Sequence, residues 1–349
     1  MTRQEKILEQ IELERMEGKK EEKISKSVIS WFFSNLKFLL LPGSRLEELT
    51  FREVEYEKTI SKRKFLRRLK STLTILGIVI VFVLITFAVF APWISPYSYE
   101  ELNSVCKTTP EMPVCVYQPP SPEHPLGTTD FGQDILGRII FGARSSLTIA
   151  LPAILFSVSF GIIFGVIAGY FGGWVDSLIM RIADIFLAFP ALILALVFVS
   201  ILARSGEYDM TYIMLAYGIL GVPFYARLIR GSVMQARELP YIQAARASGA
   251  GNFRIMFRHI LPNTIQPIII SFTFDIGGVI LSLAGLSFLG YKDPYLIEWG
   301  NDISTARLHY IDAPWAPFWP GFMILIAVLG FMLVGDGLRD ALDPRLRNL

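Results

Sequence analysis

The sequence predicts an all-α, polytopic membrane protein with six transmembrane helices, and three observations carry that prediction. Its 349 residues are 52% hydrophobic and 13% aromatic, too apolar for an ordinary soluble domain. The apolar residues gather into six runs, at about 73–93, 147–170, 185–202, 211–226, 264–289 and 317–334, most of them near the length a bilayer requires. Lys and Arg collect before the first run and in the segment between the fourth and fifth, as expected of one face of a membrane.

Residues 1–70 form an N-terminal extension rich in Glu, Lys and Arg, which suits the cytoplasm and not a secretory signal. Within it 28–41 is apolar but short and broken by Ser34, Asn35 and Lys37, so it is expected to lie at the interface with Trp31 at headgroup level. Lys62, Arg63, Lys64, Arg67, Arg68 and Lys70 then precede the first span, 71–93, and mark its entry side as cytoplasmic. Residues 94–144 are expected outside, and hold the two cysteines, Cys106 and Cys115. These form a disulfide there or remain two thiols, and they are too few, with too little His nearby, for a zinc site.

The remaining 145–349 read as a five-helix core. Its first helix carries Gly161, Gly165 and Gly169 at a spacing of four, a stripe that favours close helix packing. Gly172 and Gly173 turn the chain. The next helix opens with Arg181 and Asp184 one turn apart, able to satisfy each other, and Pro190 should bend it. Arg227 and Arg230 close the short fourth helix, snorkelling to headgroups, with Tyr225 at the boundary. Asp275 lies near the centre of the fifth. A carboxylate at that depth costs about 2.5 to 3.5 kcal/mol against lipid, so a water-filled path or a polar partner is expected. Trp299, Trp315 and Trp319 near the last helix read as an interfacial girdle.

Between two of the runs lies 238–263, ELPYIQAARASGAGNFRIMFRHILPN, which contains Arg246, Arg254, Arg258 and His259 and cannot sit in lipid. Its Ala-rich start forms a short helix that Gly249-Ala250-Gly251 ends. Gln243-Ala244-Ala245, then Gly249 and Leu261-Pro262, resembles the cytoplasmic signature loop of permease subunits in ABC importers, with Gln243 where Glu is usual. A second segment, HPLGTTDFGQDILGRIIFGARSSL from His124, resembles a signature of the peptide-type branch, with Thr129 in place of Asp and Gln133 in place of Arg. Asp130, Asp134, Arg138 and Arg144 there are either solvating charges or parts of the outer mouth of a pore.

The resemblance implies the type I permease fold of ABC importers and a coupling loop, 231–262, in which Gln243, Ala244, Ala245, Gly249, Leu261 and Pro262 meet the ATPase. It further implies a second homologous permease, two ATP-binding subunits and an extracytoplasmic substrate-binding protein, with the chain multi-pass in the cell membrane and both termini cytoplasmic. Asp275 is the candidate for the translocation path. No Gly-x-x-x-x-Gly-Lys-Ser/Thr loop occurs, so the chain itself is expected to bind no cofactor, ATP and Mg²⁺ belonging to the partner subunits. The net charge of +2 hides the asymmetry between the two membrane faces, and nothing in it calls for nucleic acid as a partner. The expected function is import of dipeptides or oligopeptides by a subunit that is not an enzyme. Oligosaccharide import by the same machinery is the alternative, and an ion-coupled secondary transporter or a hydrolase using Asp275 with Asp184 is a more distant one, since neither internal repeats nor a Ser or His motif accompanies them.

Overall fold

The computed structural model describes residues 71–103, 115–203, 209–293 and 296–342. The chain divides into two compact units, Met1–Phe65 and Leu66–Leu349, and every described residue belongs to the second. The expected interfacial segment 28–41, Cys106 and the tail 343–349 lie outside the described residues.

Five described helices are long and apolar enough to span a membrane: α1 (Thr72–Ile94), α3 (Ile135–Phe171), α6 (Met210–Arg237), α10 (Gln266–Phe288) and α12 (Trp315–Leu342). A sixth candidate span is a broken pair, α4 (Gly173–Leu187) and α5 (Ala191–Leu202), bent by 93°. Pro190 stands at the break as the N-cap of α5, where its missing N–H and the restriction it places on Phe189 end the preceding helix. Short helices fill the connections: α2 (Tyr99–Asn103), α7 (Pro240–Ala247), α8 (Asn252–Arg254), α9 (Leu261–Thr264) and α11 (Trp299–Ala306). A π-helical turn, Ile255–Ile260, joins α8 to α9.

Two spans run well past their apolar cores. The helix expected from residue 147 begins at Ile135, and its 37 residues extend about 55 Å, more than the roughly 30 Å of hydrocarbon. Asp134 starts it by accepting the N–H of Gly137 at 2.7 Å. The helix expected to stop at Ala226 continues to Arg237, so only the part of 231–262 beyond that residue is a loop. The arginines do not end it because they are paired. Arg227 bonds Asp184 and Arg230 bonds Asp176, both on α4, which replaces the expected Arg181–Asp184 pair and the expected snorkelling.

The glycine stripe of α3 is the seam of the fold. A Cβ at Gly161 would sit 2.3 Å from Cβ of Tyr225, one at Gly165 2.6 Å from the carbonyl oxygen of Ala226, and one at Gly169 2.8 Å from Cβ of Val233. The backbones of α3 and α6 therefore touch along more than two turns, and the Ser157 hydroxyl donates to the Gly218 carbonyl at 2.7 Å on the same seam. α1 leans on α12 in the same manner, Gly77 against Leu333 and Gly337 against Thr74.

Candidate coupling loop and outer brace

The loop after α6 is built to hold one short helix at a fixed attitude. Leu239 is extended and Pro240 starts α7 with a φ already suited to a helix. On one side of α7 Ile242 is fully buried, in a cluster with Ile255, Met256 and Ile260 of the π turn. Gln243 and Ala244 turn away from that side and are exposed, while Ala245, three residues on from Ile242, is half-buried. The Gln243 amide donates to the Glu238 carbonyl at 3.2 Å, a neutral contact that a Glu could not make, since a carboxylate has no hydrogen to donate.

Gly249 ends the helix by its backbone. Its φ is +81°, its N–H reaches the Arg246 carbonyl at 3.0 Å, and the next N–H, of Ala250, reaches back to the Ala245 carbonyl at 3.1 Å. That pair of bonds is the Schellman closure, and the residue at its centre must be left-handed, which side chains other than Asn resist. No atom lies within 4 Å of where its Cβ would be, so the demand at this position comes from conformation and not from crowding inside the chain. Leu261 is half-buried against the core and Pro262 is exposed, both in α9.

Two contacts tie the loop to α3 and a third ties the adjoining end of α6 to it, and none was visible in the local sequence. The Tyr170 hydroxyl donates to Oδ1 of Asn252 at 2.8 Å, the Arg246 guanidinium lies 5.8 Å above the Tyr170 ring, and Arg237 Nη1 donates to the Gly169 carbonyl at 3.0 Å. The last of these satisfies a carbonyl at the C-terminal end of α3 that has no partner within the helix. Tyr170 follows directly from the glycine stripe, which was the one available signal.

Asp275 stands apart from this loop. It is half-buried on α10 and its Oδ2 accepts the Tyr225 hydroxyl at 2.5 Å. Tyr225 is therefore a buried cross-helix donor rather than a residue at the membrane boundary.

At the opposite end the second sequence signature folds into a brace. Arg138, buried on α3, donates through Nε at 2.9 Å and Nη2 at 2.5 Å to one oxygen of Asp302 on α11. Its Nη1 donates to Gln133 Oε1 at 2.7 Å and to the Leu102 carbonyl at 3.0 Å. Gln133 thus supplies an acceptor to the arginine. His124 Nδ1 lies 3.0 Å from Asp134. Glu298 caps α11 by accepting the N–H groups of Gly300 and Asn301 at 2.9 and 3.0 Å. Burial pushes its carboxyl above the usual range against those bonds. Asp130 is also pushed up by burial, and Lys292, which bonds Asn301, is pushed down by it. Asp134 and Arg138 are structural here, and not solvating charges. Trp299 likewise departs from the expected girdle: it is 1% exposed and donates its indole N–H to the Ile139 carbonyl at 3.1 Å. Cys115 is disulfide-bonded, while Cys106 lies outside the described residues. No group of three or more His, Cys, Asp or Glu that could hold a metal ion occurs among the described residues.

With this geometry in place, residues 161–348 match the family of binding-protein-dependent transport system inner membrane components. Residues 63–120 match the N-terminal transmembrane domain of oligopeptide transport permease C. The chain belongs to this permease family, in its dipeptide and oligopeptide branch. The permease is 43% identical over 298 residues to a dipeptide transport system permease protein of Alkalihalophilus pseudofirmus, covering 85% of this chain and 94% of that one. It is 38% identical to a glutathione transport system permease protein of Pectobacterium atrosepticum, covering 82% and 92% of the two chains. Its counterpart in Shigella flexneri is 42% identical, covering 77% and 85%. The permease is a multi-pass protein of the cell membrane, pore-forming rather than catalytic, and its family works with a partner permease, ATPases and a binding protein.

Proposed function

We propose that the permease forms half of a path that imports short peptides, driven by ATP and Mg²⁺ on two partner ATPase subunits that press on α7. The observation that carries this reading is the construction of α7. Ala244 faces outward and Ala245 is half-buried, while Ile242 shares the core with Tyr170 of α3 and Val233 of α6 and Arg246 lies over the Tyr170 ring; Arg237 ties α6 to α3 just before this helix. A push on α7 then moves two spans as one body, as a two-state transporter requires. Gln243, Ala244, Ala245, Gly249, Leu261 and Pro262 are the proposed contact, and Asp275 with Tyr225 the proposed polar feature beside the path. The loop and both termini are proposed to be cytoplasmic, and 94–144 outside, on the Lys and Arg bias of the sequence. The relatives' names, dipeptide and glutathione, favour a short peptide over an oligosaccharide, and membership of a binding-protein-dependent family disfavours ion coupling alone.

The test is Ala244→Trp, because Gly249→Trp would also strain the left-handed cap. Overpacking a tight contact costs about 1 to 3 kcal/mol, which lowers docking by roughly ten- to a hundredfold. Dipeptide uptake and copurification of the ATPase subunits are expected to fall together while the full-length chain stays in the membrane. Unchanged uptake and unchanged copurification would sink the reading.

A further inference from the structure

One charged residue of the second signature takes no part in the brace. Arg144 is exposed on α3, and its guanidinium has no hydrogen bond or ion pair among the described residues, whereas Arg138, Arg227, Arg230 and Arg237 are all bonded. It lines a cavity of about 450 Å³ together with Pro92 at the end of α1, Tyr99 of α2, Phe141 and Thr148 of α3, and Met210, the first residue of α6. That volume is in the range of small-molecule sites.

The level of the cavity identifies its surroundings. Met210 begins the helix whose other end leads into α7, so the cavity lies at the end of the spans opposite the coupling loop. Trp93, adjacent to Pro92, is 77% exposed, as an indole at headgroup level would be. From Arg144 towards the membrane centre the same face of α3 continues with Thr148, Leu151 and Leu155, at steps of four, three and four residues. Leu151 is 36% and Leu155 54% exposed. An unpaired guanidinium therefore stands over an open apolar stripe.

We propose that this cavity binds a membrane phospholipid, its phosphodiester held by the planar fork of Arg144 and one acyl chain lying along Leu151 and Leu155. A zwitterionic peptide fits less well. Its carboxylate would meet Arg144, but its ammonium would find only the neutral hydroxyls of Ser98, Tyr99, Ser145 and Thr148, since no carboxylate lines the cavity. The lipid would wedge α1, α2, α3 and the start of α6 at one point, adjacent to the brace.

Native mass spectrometry of the full chain in its assembled transporter, released from mild detergent, reads the number of phospholipids retained. Wild type is expected to hold one that survives activation, and Arg144→Gln to lose it with a weakening of at least about tenfold, while Arg144→Lys keeps part of it. Equal retention by wild type and Arg144→Gln overturns the proposal. Should Arg144→Gln fail to assemble, Thr148→Trp, which fills the cavity and leaves the arginine in place, must abolish retention, and unchanged retention there overturns it equally. Two competitors separate the sources of the anion. Inorganic phosphate or glycylglycine at millimolar concentration is expected to leave the lipid bound, whereas displacement by the first would show a free-anion site, and by the second a peptide site, in place of a lipid site.

Discussion

Replacing Gly165 by Ala adds one methyl group on the α3–α6 seam of the permease. The new carbon would lie 2.6 Å from the Ala226 carbonyl oxygen and 2.8 Å from Cβ of Ile229. Ordinary contact begins near 3.4 Å, and the nearer atom is backbone, so no rotamer change relieves the clash and α3 must part from α6 by most of an ångström. Parting them also loosens Gly161 from Tyr225 and Gly169 from Val233, since all three contacts lie on one line. The cost is about 1 to 3 kcal/mol of overpacking. Ala in place of Gly favours a helix by roughly 0.8 to 1 kcal/mol, which would partly mask that cost. Gly231→Ala on α6 removes the ambiguity, because nothing lies within 4 Å of its added methyl and only the helix preference changes. The two variants are compared by thermal unfolding of the purified chain in one detergent. Gly165→Ala is expected to melt several degrees below Gly231→Ala, and to lose uptake, because α6 carries the seam straight down to Arg237 and α7. If the two variants melt together, the backbones are not in contact and the seam does not organise the fold.

Three other outcomes follow from the same geometry. Arg138→Gln leaves Asp302 buried with its charge unpaired and is expected to cost about 3 to 5 kcal/mol, most of it recovered in the double variant Arg138→Gln with Asp302→Asn; a thermal melt that shows no recovery would mean the pair is not the source of the loss. Tyr225→Phe removes the donor to Asp275 and is expected to destabilise by about 1 to 3 kcal/mol, Asp275→Asn to preserve assembly while altering transport, and Asp275→Leu to harm both; full yield and normal uptake in the Leu variant would take Asp275 out of the path. Closure of the segment between Cys106 and Cys115 is expected to stabilise the outer loop by roughly 2.5 to 3 kcal/mol, and non-reduced peptide mapping should recover Cys115 linked to the Cys106 peptide; a free Cys106 thiol would refute the pairing.

The cores of the spans were legible in the sequence because lipid imposes a composition that windows of about twenty residues reveal, and 73–93 against Thr72–Ile94 shows how closely. Their ends were not legible where polar residues are satisfied by partners far along the chain. Ile135 to Arg144 reads as outer loop because Arg138 and Arg144 interrupt it, yet Asp302, 164 residues away, pairs the first of them and the helix forms. Arg227 and Arg230 read as the end of a helix for the same reason, and Asp184 and Asp176 pair them. Trp299 reads as a girdle residue until the Ile139 carbonyl that receives its N–H is known. In each case local hydropathy gave the energy of a charge or an indole N–H facing lipid or water, and the fold supplied a third solvent, the protein itself.

The coupling loop shows the complementary lesson, since there the composition was right and the physical reason divided. In the sequence Ala244, Ala245 and Gly249 stand together as one contact with the ATPase. In the fold they answer to different constraints. Ala244 is exposed on a helix, a position where most residues would serve the chain equally well, so only an external surface can demand smallness there. Gly249 is held at φ +81° by two hydrogen bonds to α7, so the chain demands it whether or not anything docks. Substitution by Asn, which tolerates that conformation, is therefore expected to leave the loop folded even though it is larger than glycine. A docking defect in Gly249→Asn with α7 intact would place the partner's surface against the cap as well as against the helix face. A normal Gly249→Asn beside a defective Ala244→Trp would confine the contact to the alanines and leave the glycine as the hinge pin that aims them.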